Sequence, residues 1–152
     1  MKRDWNLIRD ILTAIEEDRI VEYVVSAGNN EDWQNGLDCD QIKIEKIKRL
    51  RLIEGHIRLL IDSNLISKVN SNIRDLNEYK KKPTDTPRHA YVFKVELLQL
   101  SMEGHDMLEH MRNDKVWNEL KRIAKESSVS LTLDFIRATI PHIWDKVVNS
   151  VG

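Results

Sequence analysis

Cysteine is nearly missing from this 152-residue chain, with Cys39 the single example. One thiol closes no intrachain disulfide and leaves no partner for a thiolate metal cage, which points to a reducing compartment. No apolar run approaches the roughly 18 residues that a membrane-spanning helix requires. Met1-Lys2-Arg3 is basic in the manner of an export signal, but Asp4, Asn6, Arg9 and Asp10 interrupt any apolar core behind it. Export is therefore not expected, and a cytoplasmic location is. Also lacking are a glycine-rich phosphate loop, a nucleophile elbow and a Cys-His arrangement with neighbouring acids. Nothing in the pattern calls for enzyme chemistry or a cofactor.

What remains is a soluble globular composition, 41% apolar and 32% charged, in a chain of the size of one domain with an appendage. The net charge of −1 averages over a strong segregation. Residues 1–40 hold 4 basic and 10 acidic side chains, residues 41–88 hold 12 and 6, and residues 89–152 hold 8 and 9. A positive middle third on a neutral protein suits a local site for an anionic partner. The alternative is that the acidic first third folds against it and cancels its field.

Trp5, Ile8, Leu12 and Ile15 recur at helical spacing, so residues 4–17 are expected to form an amphipathic helix capped by Asp4. Residues 20–25 are β-branched enough for a short strand, yet their spacing also continues the first helix. From residue 42 the apolar pattern starts with strand-like alternation at Ile42 and Ile44, then settles into helical spacing, which fits a short strand or helix followed by a long helix to about Asp62. Asn64 is placed to take the left-handed conformation behind the last turn, with Leu65 folding back on Leu60 or Ile61. Residues 67–73 and 91–99 suit strands, and Lys80-Lys81-Lys82-Pro83-Thr84-Asp85-Thr86-Pro87-Arg88 between them is a basic loop. Helices are expected at about 101–112, 114–126 and 132–149, the last interrupted or kinked near Pro141.

Helix, tight turn, strand, basic loop and return strand is the order of a winged helix. The fold class expected is α+β, mostly helical: a winged helix-turn-helix over residues 1–100 with a small β-hairpin wing, and a helical extension over 101–152 packed on it in one compact unit. Several segments carry a further resemblance. They are Ser101-Met102-Glu103-Gly104-His105-Asp106-Met107-Leu108, the start from Met1-Lys2-Arg3-Asp4 to Leu7-Ile8-Arg9, His56-Ile57-Arg58-Leu59-Leu60, and Asn113-Asp114-Lys115-Val116-Trp117. Together they resemble a family of small bacterial and prophage proteins known only as a domain of unknown function, family 2513. The resemblance implies a prophage association and brings no activity with it. That family usually has glycine where this chain has Asn64.

On a helix at residues 48–62, Lys48, Arg51 and Arg58 share an exposed face with Gly55. They are read as groove-facing groups on double-stranded DNA, with Lys80, Lys81, Lys82 and Arg88 as phosphate contacts on the wing. The blander reading is a solvated basic face, and the competing function is a module that binds a host or phage protein. His105 with Glu109, and Asp106 with His110, stand four apart and could share a zinc ion, but no third ligand has the required spacing, so no metal is expected. His105 is expected beside the wing strand and His56 as a half-buried helix residue. The apolar stripes of the last third, from Trp117, Leu120, Ile123 and Ala124 to Phe135, Ile136, Ile140, Ile143, Trp144 and Val147, are read as core. The alternative for the terminal stripe is the contact of a homodimer.

Overall fold

The computed structural model describes residues 2–29, 36–68 and 98–149. Their elements run α1 Trp5–Glu16, α2 Ile20–Asn29, α3 Cys39–Asp62, β1 Ile66–Lys68, β2 Leu98–Leu100, α4 Met102–Arg112, α5 Asp114–Glu126 and α6 Leu133–Asn149. Among the described residues the chain is mostly helical with one small antiparallel sheet of two strands, in the register Ile66 to Leu100, Ser67 to Gln99 and Lys68 to Leu98. It divides into two compact units, Met1–His105 and Asp106–Gly152, with the boundary inside α4.

Local chemistry accounts for most helix ends. The Asp4 carboxylate accepts from the amides of Asn6 and Leu7 at 3.0 and 3.1 Å and so caps α1. Asp38 and Gln41 form a reciprocal capping box at the start of α3. Asn113 caps α5 through the Val116 amide at 3.2 Å. Three helices then stop in the same way. Asp18, Asn64 and Ser128 have φ of 55°, 58° and 53°. Behind each, the next amide reaches back five residues: Arg19 to Ala14, Leu65 to Leu60 and Val129 to Ala124. This is the double-bonded C-terminal motif in which glycine normally takes the left-handed position, and here no glycine does.

In the first unit α1 packs on α2, α3 and β2, and α2 on α3. Ile8, Ile11, Leu12 and Ile15 of α1 meet Ile53, Ile57 and Leu60 of α3 in a core that also holds Ile20, Val24, Leu65, Ile66 and Leu98. The β-branched residues 20–25 form helix, not strand, because Ile20 and Val24 bury one helical face with Gly28 a turn further on. The left-handed turn at Asp18 separates α2 from α1, so the first helix is not simply prolonged. A Cβ on Gly28 would lie 3.2 Å from Cε of Lys46 and 3.5 Å from Cδ2 of Leu50, so α2 approaches α3 closely there. Residues 42 and 44 likewise belong to α3 and not to a strand. Of the two expected wing strands, the described parts are Ile66–Lys68 and Leu98–Leu100, and the rest lies outside the described residues.

In the second unit α5 packs on α6. Val116, Trp117, Leu120 and Ala124 are buried on α5, and Ile136, Ile140 and Ile143 on α6. The α6 helix runs without interruption through Pro141, although proline offers no amide hydrogen to the preceding turn.

Candidate nucleic-acid interface

At about 100° per residue, the buried α3 residues Ile53, His56, Ile57 and Leu60 occupy an arc of about 100°. Ile44, Ile47, Lys48, Arg51 and Arg58 occupy another arc of about 100° on the opposite side of the helix. All five are exposed. The spacing of Lys48, Arg51 and Arg58 thus brings them to one solvent-facing stripe, and the reason is that α1 and α2 cover the other side.

The three cations are not equivalent. Arg58 is held by Glu54 at 2.7 Å, an i,i+4 pair on the surface, where such pairs contribute little to stability. Neither Lys48 nor Arg51 forms an ion pair among the described residues. Arg49, on a different side, pairs with Glu45 at 3.3 Å. Lys80, Lys81, Lys82 and Arg88 lie outside the described residues.

Sequence spacing alone missed the exposed apolar residues of α3, of which Ile44 and Ile47 belong to this stripe. Ile44, Ile47 and Leu52 are 55%, 49% and 42% exposed. The signal was present, since positions 44 and 47 are out of phase with 53, 57 and 60. Read as one continuous run from residue 42, the two phases merge and the outer one disappears.

His56 is fully buried, not half-buried as expected. Its Nε2 accepts the Asp4 amide at 2.9 Å, and Nδ1 donates to the Leu52 carbonyl at 2.8 Å. One ring nitrogen must accept and the other donate, which fixes the neutral tautomer with hydrogen on Nδ1. His56 thereby ties the cap of α1 to α3. His105 is exposed, with Nδ1 3.8 Å from a carboxylate oxygen of Glu16 near the end of α1.

His110 lies edge-on to Trp144, with ring centroids 5.1 Å apart. Burial of its ring lowers its pKa, with Asp106 and Glu109 pulling the other way. Among the described residues no group of three or more His, Cys, Asp or Glu side chains is arranged to hold a metal ion. Nor is any described helix long and apolar enough to cross a membrane. On α6, Ile136, Ile140 and Ile143 are buried, and Phe135, Trp144 and Val147 are half-buried.

Comparison with known proteins agrees with the resemblance in the sequence. A family model described as a hypothetical protein, DUF2513, matches residues 2–130. The chain is also similar to an uncharacterized protein of Haemophilus influenzae, 28% identical over 137 residues and covering 90% of each chain. No solved structure matches.

Proposed function

This chain belongs to the DUF2513 family of hypothetical proteins, and we propose that it is a winged-helix protein that grips double-stranded DNA through the outer face of α3. The observation that carries this reading is the exposure of Lys48, Arg51 and Arg58 on one stripe, diametrically opposite the helix face that builds the core. An exposed cationic helix followed at once by a tight turn and an antiparallel strand pair is the layout in which a recognition helix enters the major groove and the hairpin lies alongside. The basic residues Lys80, Lys81, Lys82 and Arg88 belong to the segment that connects β1 to β2 and would act there as phosphate contacts. Regulation of transcription in a prophage setting is the role such a protein would serve.

Neutralising phosphates releases counterions, so binding must weaken steeply with added salt. Fluorescence anisotropy of a random-sequence duplex, titrated with the full chain at several salt concentrations, tests the reading. Saturable binding at low salt is expected, with a log–log salt slope that falls when Lys80, Lys81 and Lys82 are replaced together by alanine. No binding to any duplex at low salt removes it.

A second reading has its own observation. Ile44, Ile47 and Leu52 are exposed on the same helix, and a net charge of −1 gives the whole protein no attraction to polyanions. On this reading the same face docks a host or phage protein, and α3 is a scaffold.

A further inference from the structure

We infer that the outer face of α3 reads base edges, recognising thymine methyl groups beside guanine, and does not merely hold the phosphate backbone. The inference rests on the DNA reading above and specifies what that site would select. Backbone gripping requires only cations, yet this stripe alternates two isoleucines with two cations: Ile44, Ile47, Lys48 and Arg51. Exposing Ile44 by 55% and Ile47 by 49% gives a protein in free solution nothing. In the major groove the one apolar group on a base edge is the thymine methyl, and isoleucine is matched to it. The acceptors beside it, guanine N7 and O6, suit arginine and lysine.

The dimensions fit as well. From Ile44 to Arg51 the helix rises about 10.5 Å, close to the groove width of about 12 Å. Arg58 stands about 10.5 Å further along the axis, beyond the groove wall and already held by Glu54. Ile44, Ile47, Lys48 and Arg51 are therefore assigned to bases, and Arg58 to the phosphate rim.

The interleaving of cations also favours DNA over a protein partner. The centre of a protein interface is depleted of charged residues, lysine above all, whereas Lys48 sits between the isoleucines and Arg51 without an ion pair among the described residues.

The test starts with affinity selection of duplexes from a random library by the full chain. The selected duplex is then synthesised with thymine and with uracil, which lacks only the methyl. Loss of each contacted methyl should weaken binding roughly 4-fold. Ile44→Ala and Ile47→Ala, at exposed positions that leave folding intact, should bind the thymine duplex more weakly and no longer distinguish it from the uracil duplex. Their salt slope should match that of the wild type, because an apolar contact releases no counterion. Salt-dependent binding with no selected sequence, or equal discrimination by wild type and both variants, overturns the inference and leaves the DNA reading intact. Failure to bind any duplex overturns both and leaves the exposed isoleucines to a protein partner.

Discussion

A Cβ added to Gly104 would lie 2.0 Å from the backbone oxygen of Leu65. Around this contact Ser101 joins the two chain segments. Its hydroxyl shares its one hydrogen between the carbonyl oxygens of Asn64 and Leu65 and accepts from the Gly104 amide at 3.0 Å, capping α4. The glycine in the Ser-Met-Glu-Gly segment is thus required by a close approach of backbone to backbone, between the first turn of α4 and the turn that ends α3.

Gly104→Ala is expected to destabilise the protein by about 3 kcal/mol or more, because the atom in the way is main chain and cannot swing aside. Urea denaturation followed by circular dichroism measures it. A loss below about 1 kcal/mol would mean that α4 slides away from Leu65 without penalty.

The three left-handed residues give a prediction of opposite sign. Asp18, Asn64 and Ser128 are exposed and hold positive φ without being glycine. Asp18→Gly, Asn64→Gly and Ser128→Gly should each raise stability by about 0.5–1 kcal/mol, with the smallest gain at Asn64, since asparagine tolerates this conformation best. The sites share no partners, so the triple variant should approach the sum. Thermal unfolding of the four variants would show it, and a destabilised Ser128→Gly would contradict it.

His56→Ala leaves a cavity and deprives the Asp4 amide of its acceptor. A loss on the order of 3 kcal/mol is expected. Hydrogen exchange at the Asp4 amide should quicken beyond what global destabilisation accounts for, while α5 amides should follow the global change alone. Unchanged protection of Asp4 would mean that Nε2 is not its acceptor.

His110 supplies a pH dependence. Burial, opposed by Asp106 and Glu109, lowers its folded-state pKa below the ordinary 6.5. The unfolded chain then binds the proton more readily, so protonation favours unfolding. The histidine's contribution to stability is complete above about 6.5 and is lost as pH falls from there through the folded-state value. Measured by urea midpoints between pH 8 and 5, the wild type should lose stability relative to His110→Phe across about that window. Parallel curves would show that His110 titrates alike in both states.

Much of this molecule was written locally. The Asp4 cap, the left-handed turn at Asn64 with Leu65 folding back, and the bounds of α5 each depend on hydrogen bonds spanning two to five residues, and the residue types that make those bonds are close together in the chain. The shared face of Lys48, Arg51 and Arg58 was legible for the same reason, since helical spacing alone determines it. Spacing cannot say which side of a helix is covered. That α1 and α2 take the Ile53 side of α3, exposing Ile44 and Ile47 and burying His56, was decided by packing between segments about fifty residues apart, as in the bond from Asp4 to His56. Packing likewise turned the β-branched residues 20–25 into helix, because Ile20 and Val24 find their burial only on a helical face.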